Sequence, residues 1–287
     1  MNGPSVSGKT CVCGVIGDPI EHTMSPAMHN AASRALGLDM VYVAFHVRAE
    51  DLRQAIDGMR GLAIRGLNVT IPHKVAVMAL LDSLDPLAER VGAVNTVVNN
   101  DGRLTGYNTD ASGFIQPLLQ RGTELDGRNA VVLGAGGAAR AICFALAEHG
   151  TPLTILNRRE EIHWAVSLAD RVSRHVPAAA AELNEENARR ALANAFILVN
   201  ATSVGMSPRA DAIPIPASLL RPDLVVYDVV YNPVKTRLLR EAEQAGAQTI
   251  RGLEMLAWQG ALSFRLWTGA DAPVELMLRE AERLLAQ

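Results

Sequence analysis

The chain has 287 residues, of which 49% are hydrophobic, and this length suits either one large α/β domain or two of moderate size. Its 27 basic and 30 acidic residues are mixed along the sequence and give a net charge of −3, so no basic block is present to neutralise a nucleic-acid backbone. No segment approaches the roughly 20 consecutive apolar residues of a membrane span, and the polar, glycine-rich start does not have the pattern of a signal peptide. We therefore expect a cytoplasmic protein that binds neither nucleic acid nor membrane.

Two features near the N-terminus suggest functions that their context does not favour. The run Gly3-Pro-Ser-Val-Ser-Gly8-Lys9-Thr10 satisfies the P-loop pattern, but a P-loop needs a strand before it and a helix after it. Only two residues precede this run, and a strand is predicted directly after it, so we interpret the match as coincidental. The cysteines Cys11, Cys13 and Cys143 do not have metal-site spacing and are interpreted as buried thiols, and we predict no metal site.

The first part of the chain, up to about Asn99, alternates apolar strands with helical stretches, which indicates a mixed α/β layer. Ser25 is expected to cap a helix that has Pro26 at its first position, and Pro72 is expected to open another helix. Asn100-Asp101-Gly102 is a strong hairpin signal between two β segments. The predicted strands are 11–17, 40–47, 66–70, 94–99 and 104–107, and the predicted helices include 25–37 and 49–60.

The second part begins near Gly113 and alternates strands with helical stretches, which is the signature of a parallel, doubly wound sheet. After Gly252 the sequence is helical to its end, in two stretches. The fold class is therefore α/β, with a mixed α/β domain and a Rossmann-like domain. The predicted strands are 130–133, 153–156, 196–200, 224–231 and 248–251, with a less certain one at 179–183, and the last two helices are 253–268 and 274–285.

The run Gly134-Ala-Gly-Gly-Ala-Ala-Arg140 follows a predicted strand directly and opens an apolar helical stretch, which is the context of a dinucleotide site. Its glycines allow the backbone to approach a pyrophosphate, whose charge then meets amides at a helix N-terminus. The residues predicted to contact the cofactor here are Gly134, Ala135, Gly136, Gly137 and Ala138.

The end of the next predicted strand favours NADP over NAD. An NAD site usually has an acidic residue there to accept from the ribose 2′-hydroxyl, but this chain has Asn157 followed by Arg158 and Arg159. A guanidinium can bind a 2′-phosphate through two hydrogen bonds. The neighbouring Glu160 and Glu161 could weaken this preference, so NAD stays open as the weaker alternative.

A threonine and a lysine lie four positions apart in Asn68-Val-Thr-Ile-Pro-His-Lys74, and Asp110 in the run Gly106–Gly113 offers a carboxylate partner. Oxidation of a secondary alcohol requires a base that takes the hydroxyl proton as hydride leaves carbon, and the reverse reaction requires the same group as an acid. An ammonium, a carboxylate and a nicotinamide together indicate hydride transfer.

Together with the runs His22–Pro26, Ala93–Thr96 and Met255–Gly260, these motifs closely resemble the shikimate dehydrogenase family over nearly the whole chain. The resemblance implies an NADP-dependent oxidoreductase that transfers hydride reversibly between NADPH and 3-dehydroshikimate, giving shikimate, in aromatic amino-acid biosynthesis. It also implies that the last helices return to the first domain. The expected domains are residues 1–113 with 253–287 for substrate and residues 114–252 for NADP.

The resemblance also implies roles for individual residues. Lys74 is expected to donate and accept the proton, with Asp110 as its orienting partner. Thr23 and Ser25 match residues that bind the substrate carboxylate. The matches to residues that hold the ring hydroxyls are Thr70, Asn95 and Gln259, Tyr231 is a further expected substrate contact, and the expected neighbours of the nicotinamide are Val229, Gly252 and Met255.

Alternatives remain open at the level of the sequence. Ser25 could only cap its helix, Asn95 could stabilise a turn, and Gln259 could face solvent. Thr23 replaces the family's usual serine, and its extra methyl group leaves quinate acceptance in doubt. A quinate/shikimate dehydrogenase of relaxed cofactor use and a non-catalytic nucleotide sensor are the competing functions. The sequence does not decide the oligomeric state, for which a homodimer is one option.

Overall fold

A computed structural model of the protein describes residues 6–286 and divides the chain into two compact units. One unit contains the chain up to Gly113 and again from Ala257 onward, and the other runs from Phe114 to Leu256. Part of the Gly3–Thr10 run lies outside the described residues. Its end forms a turn at Gly8 and Lys9, and the strand expected after it begins at Cys11.

The first unit contains a six-stranded sheet of mixed direction. Its strands are β1 (Cys11–Gly17), β2 (Met40–His46), β3 (Gly66–Val69), β4 (Ser83–Leu84), β5 (Thr96–Asn100) and β6 (Arg103–Tyr107). They are ordered β2-β1-β3-β5-β6-β4, and β5 runs antiparallel to both of its neighbours. The predicted hairpin between β5 and β6 is confirmed, with Asp101 and Gly102 at φ of 52° and 88°, as a two-residue turn with positive φ at both positions requires.

The helices that carry residues of the first unit are α1 (Ser25–Ala35), α2 (Leu52–Gly61), α3 (Pro86–Val91), α4 (Thr109–Gln120), α9 (Gly252–Thr268) and α10 (Val274–Leu285). The chain passes between the units inside α4 and inside α9, after Gly113 and after Leu256. The apolar core of this unit includes Ile16, Ile56, Leu67, Val97 and Leu104, from β1, α2, β3, β5 and β6.

Two predictions about helix starts were wrong. Ser25 is the first residue of α1 and not its cap, because Met24 occupies the cap position, while the Thr23 hydroxyl accepts a hydrogen bond from the Ser25 N–H at 3.3 Å. Pro72 opens no α-helix: residues 71–75 form turns and a short 3-10 segment, Ala76–Leu80, follows. The Lys74 carbonyl accepts from the Val94 N–H at 2.8 Å, so it is taken by a neighbouring segment and not by a helical ladder.

The second unit contains a parallel six-stranded sheet, which confirms the predicted doubly wound fold. Its strands are β7 (Ala130–Leu133), β8 (Leu153–Asn157), β9 (Ala178–Glu182), β10 (Ile197–Asn200), β11 (Val225–Asp228) and β12 (Gln248–Arg251), in the order β12-β11-β10-β7-β8-β9. The helices between them are α5 (Gly137–Glu148), α6 (Ile162–Val172), α7 (Glu185–Leu192) and α8 (Arg237–Gln244). The strand order reverses between β7 and β10, where ligands bind in this architecture.

The strand predicted to run to Tyr231 ends earlier, at Asp228. The Asp228 carboxylate accepts a hydrogen bond from the Val230 N–H at 3.0 Å, a side-chain turn that replaces the next ladder bond. Val229 and Tyr231 therefore lie in the loop after β11 and not within a strand. Within residues 6–286, no helix is long and apolar enough to cross a membrane.

Candidate active site

Lys74 and Asp110 form an ion pair in the first unit. The Lys74 ammonium donates to Asp110 Oδ2 at 2.6 Å, and the two side chains are only 18% and 7% exposed. Lys74 lies in the turn after β3, whereas Asp110 lies in the first turn of α4. The tertiary fold thus joins two motifs that are 36 residues apart, and it keeps a proton-carrying group in a place that water reaches only in part.

Asn95, immediately before β5, connects this pair to Gln259. Its amide nitrogen donates to Asp110 Oδ1 at 2.8 Å and to Gln259 Oε1 at 3.3 Å. The side-chain oxygen of Asn95 accepts from the Thr109 N–H at 2.7 Å, which fixes this side chain at the start of α4. Gln259 packs close to Gly113, where a Cβ atom would stand only 2.7 Å from the backbone nitrogen of Gln259. Of the sequence-predicted site residues, Lys74, Asp110, Asn95 and Gln259 are therefore brought together directly.

A buried polar network supports this group, and Asn95 is the one member that the sequence predicted as a site residue. We define the polar network as Asn68, Asn95, Thr96, Thr109 and Ser263. The Thr96 and Ser263 hydroxyl groups are 2.7 Å apart, and the Asn68 amide donates to both, at 3.1 and 2.9 Å. These side chains come from β3, from β5 and the residue before it, from α4 and from α9. Asparagine, serine and threonine are common in such elements, so their presence alone does not indicate a site. Asn68 and Thr96 stood within the recognised motifs, but no spacing rule pointed to Ser263.

Ser25 lies beside a tyrosine that contacts the polar network. Tyr42 lies on β2 and donates through its hydroxyl group to Asn68 Oδ1 at 2.7 Å. Burial raises the pKa of Tyr42 well above its usual value, and a hydrogen bond with Ser25 acts in the opposite direction. Thr23 contacts Ser25 through the hydrogen bond described above. Within residues 6–286, no hydrogen bond joins the Thr70 side chain to the polar network, although Thr70 lies in the same turn as Lys74.

The glycine-rich turn of the second unit has the backbone geometry of an anion site. Gly134 has φ of 101°, a conformation that L side chains rarely adopt, and it directly follows β7. Gly136 occupies the cap position of α5 with no side-chain cap, so the first amides of a 12-residue helix lie beside this turn. Ala135 is buried, while Gly137 and Ala138 form the first helical positions. Backbone donors at a helix N-terminus fit the pyrophosphate of a dinucleotide.

Asn157 and Arg158, which the sequence assigned to cofactor recognition, both have partners within the turn that follows β8. Asn157 is buried, and its amide donates to the Glu161 backbone carbonyl at 2.8 Å, so it also shapes the turn that follows. Arg158 is exposed and forms an ion pair with Glu161, and this partner raises the pKa of the Arg158 guanidinium. Arg159 is exposed in the short 3-10 segment Arg159–Glu161.

The other residues expected near the nicotinamide meet at the carboxyl edge of the same sheet. A Cβ atom on Gly252 would overlap the Val229 carbonyl oxygen, so only glycine permits this close approach between the ends of β11 and β12. Met255 is buried in the first turn of α9. Tyr231 lies two residues beyond Val229 and is half-buried, and burial raises the pKa of its hydroxyl group.

The comparisons with known proteins agree over both units. The family profile described as "Shikimate dehydrogenase substrate binding domain" matches residues 15–97, and the one described as "Shikimate 5'-dehydrogenase C-terminal domain" matches residues 252–282. A curated relative from Dehalococcoides mccartyi, named Shikimate dehydrogenase (NADP(+)), is 48% identical over 274 residues, which is 95% of each chain. The chain belongs to the shikimate dehydrogenase family.

Two solved structures of this family show the same fold along most of their length. The shikimate 5-dehydrogenase from Thermus thermophilus, in complex with NADP(H) and shikimate, is 44% identical with a TM-score of 0.86, covering 96% of this chain and 99% of that one. The enzyme from Listeria monocytogenes, in complex with shikimate and NAD, is 42% identical with a TM-score of 0.91, covering 97% and 98%. Members of this family therefore bind either dinucleotide.

Proposed function

We propose that this protein is an NADP-dependent shikimate dehydrogenase, which transfers hydride reversibly between NADPH and 3-dehydroshikimate and forms shikimate. The observation that carries the proposal is the Lys74–Asp110 pair at 2.6 Å, joined through Asn95 to Gln259. Membership of the family supports the same reaction. On this proposal the first unit binds the substrate and the second unit binds NADP, in the cytoplasm.

Lys74 handles the proton of the reaction. When the substrate ketone is reduced, its oxygen must gain a proton, and when the alcohol is oxidised the hydroxyl proton must leave. The Lys74 ammonium supplies that proton and the neutral amine takes it back. Asp110 accepts from the ammonium through Oδ2 and from Asn95 through Oδ1, so neither carboxylate oxygen can turn without breaking a bond. Asp110 thereby fixes the direction in which Lys74 points.

The remaining polar side chains of the first unit bind the substrate. Ser25 and Thr23 hold the carboxylate, and Thr70, Asn95 and Gln259 hold the ring hydroxyl groups, with Tyr231 as a further expected contact. Two observations support this assignment: Ser25 lowers the pKa of the Tyr42 hydroxyl group, and Tyr42 donates to Asn68 of the polar network. The hydroxyl groups of a polyhydroxy acid are uncharged, so neutral hydrogen-bond donors and acceptors suit them.

The dinucleotide supplies the hydride when bound. The amides at the start of α5 hold its pyrophosphate, and Val229, Gly252 and Met255 line the nicotinamide end. Arg158, Arg159 and Asn157 select NADP by the 2′-phosphate. Glu161 competes for Arg158, so the strength of this selection depends on how readily that ion pair opens.

One alternative has a specific observation in its favour. The Arg158–Glu161 ion pair reduces the positive charge available to a 2′-phosphate, which favours an enzyme that also uses NAD. Relaxed cofactor use is the part of the quinate/shikimate dehydrogenase alternative that this observation supports. Steady-state rates with shikimate and quinate, each with NADP and NAD, separate the two. The proposal predicts the highest kcat/KM for shikimate with NADP. A higher value for quinate, or equal values for both cofactors, would favour the alternative, and no turnover with any pair would contradict both.

A further inference from the structure

Asp228 is a buried carboxylate that the proposed reaction does not use. It ends β11, it is 0% exposed, and it accepts three hydrogen bonds. The Thr236 hydroxyl group donates to Oδ2 at 2.6 Å, while the Asn200 amide and the Val230 N–H donate to Oδ1 at 2.9 and 3.0 Å. These donors bring together the end of β10, the loop after β11 and the start of α8.

Asn200 extends this contact into a second loop. Its amide nitrogen also donates to the Val204 carbonyl at 3.1 Å, and its side-chain oxygen accepts from the Thr202 hydroxyl group and N–H, at 2.7 and 3.1 Å. We call Asp228 and Asn200 together the Asp228 bridge. The bridge therefore folds residues 201–204 and residues 229–236 and holds them side by side at the carboxyl edge of the sheet.

Both loops touch glycines of the proposed dinucleotide site. A Cβ atom on Gly134 would stand 3.1 Å from the Ala201 carbonyl oxygen and 3.1 Å from the Thr202 methyl group. On the other side, the Val229 carbonyl oxygen lies against Gly252. The Asp228 bridge thus lies between the glycine-rich turn and the residues assigned to the nicotinamide.

We propose that Asp228 is a positioning residue for dinucleotide binding: with Asn200 it sets the spacing between the glycine-rich turn and the loop that carries Val229 and Tyr231. This inference rests on the proposed function, because it concerns the same dinucleotide. Asp228 acts through the loops and needs no contact with the cofactor itself.

The choice of a carboxylate supports a role beyond stability. Burial raises the pKa of Asp228 to about 6, although the hydrogen bonds from Thr236, Val230 and Asn200 act in the opposite direction. The contribution of Asp228 to the free energy of unfolding is complete only below its pKa of 3.8 in the unfolded chain. That contribution is lost as the pH rises through about 6, its pKa in the folded protein. Buried groups with strongly perturbed pKa values cluster at functional sites. The carboxylate accepts from all three donors at once, and an amide at this position would keep the Oδ1 acceptor for Asn200 and Val230.

The test compares Asp228→Ala with Thr151→Val. Thr151 is equally buried, its hydroxyl group donates to the Leu125 carbonyl at 3.0 Å, and it lies before β8, at the opposite edge of the sheet. NADP affinity is measured by calorimetry, Tm by thermal unfolding, and loop mobility by hydrogen–deuterium exchange. We expect Asp228→Ala to raise the Kd for NADP about tenfold and to speed exchange in residues 201–204 and 229–236. Thr151→Val should lower Tm but leave the Kd for NADP and the exchange of these two loops unchanged. Asp228→Asn should recover most of the affinity for NADP because it keeps the Oδ1 acceptor.

An Asp228→Ala protein with wild-type NADP affinity would overturn the proposal, as would an equal loss of affinity in Thr151→Val at a matched decrease in Tm. If Asp228→Ala does not fold, Thr236→Val takes its place: it removes the donor to Oδ2 together with the cap bond that the Thr236 hydroxyl group accepts from the Leu239 N–H at 3.3 Å. An unchanged Kd in that variant is then the contradicting result. Neither readout needs turnover of 3-dehydroshikimate. A wild-type protein that binds no NADP would contradict the proposed function, whereas the exchange measurement would still test the Asp228 bridge.

Discussion

At the scale of single residues, the proposed function depends on how Lys74 is held. Asp110 keeps the ammonium in place from one side, and Asn95 keeps Asp110 in place from the other. We predict that Lys74→Ala lowers kcat by a factor on the order of 10² to 10⁴, which is the usual contribution of a positioned acid–base group, and leaves NADPH binding nearly unchanged. Steady-state kinetics at saturating substrate give the result, with Lys9→Ala at an exposed position as the matched control. A Lys74→Ala protein that keeps more than half of the wild-type kcat would refute the role of Lys74.

The Arg158–Glu161 ion pair determines a second prediction at this scale. Arg158→Ala should lower kcat/KM for NADPH roughly tenfold and leave the value for NADH unchanged, because only the 2′-phosphate uses a guanidinium. Glu161→Gln frees Arg158 and should raise the NADPH to NADH ratio about threefold. Glu185→Gln breaks a similar exposed pair with Arg189 in α7 and serves as the control. If the ratio does not move in Arg158→Ala, Arg159→Ala or Glu161→Gln, these side chains are surface charges and the phosphate is recognised elsewhere.

His29 predicts how stability depends on pH. It stacks on Tyr42 with ring centroids 4.2 Å apart, and neither ring nitrogen has a hydrogen-bond partner among the described residues. Burial lowers the pKa of His29 to about 3, from 6.5 in the unfolded chain. Its contribution is therefore complete above pH 6.5 and is lost as the pH falls toward 3, by about 1.4 kcal/mol for each pH unit.

From pH 6.5 to about pH 5, the free energy of unfolding of the wild type should thus fall by about 2 kcal/mol more than that of His29→Phe. Denaturant titrations at the two pH values measure the difference, and His22→Phe at an exposed position controls for the loss of a histidine. Equal pH dependence in the wild type and His29→Phe would mean that His29 takes up a proton in the folded protein.

At the scale of elements, the hairpin between β5 and β6 gives a prediction about glycine. Gly102 has φ of 88° and nothing within 4 Å of where a Cβ atom would stand, so Gly102→Ala strains only the backbone. It should cost about 1 kcal/mol of unfolding free energy. Gly58 in α2 has equally open surroundings but is helical, so Gly58→Ala should stabilise by roughly 0.5–1 kcal/mol. Changes of the same sign in both variants would contradict this account of the turn.

The elements also show what the sequence can and cannot reveal. Apolar runs bounded by glycine, proline or asparagine predicted nearly all the strands, because burial and turn chemistry are local properties. The prediction of a helix at Pro72 was wrong because the Lys74 carbonyl accepts a hydrogen bond from the Val94 N–H. Val94 is 20 residues away in the sequence, and a local pattern does not predict such a contact. The two-residue strand β4 is too short to produce a period. Lys74 and Asp110 were identifiable from motifs, whereas Ser263 and Asp228 became visible only once several elements met.

At the scale of the whole molecule, the chain forms two compact units and crosses between them inside helices. Lys74 and Asp110 lie in the unit that contains both ends of the described chain, and the glycine-rich turn lies in the other. On the proposed function, the central claim is that these two units serve one reaction, the transfer of hydride from NADPH to the ketone carbon of 3-dehydroshikimate.

Transfer of a label tests that claim most directly. The purified protein is incubated with 3-dehydroshikimate and NADPH that carries deuterium at the transferable position of the nicotinamide, and the product is examined by mass spectrometry. The account predicts shikimate with one deuterium bound to the reduced carbon, formed at least about 10²-fold more slowly by Lys74→Ala. Shikimate without the label, or no shikimate at all from the wild-type protein, would contradict it.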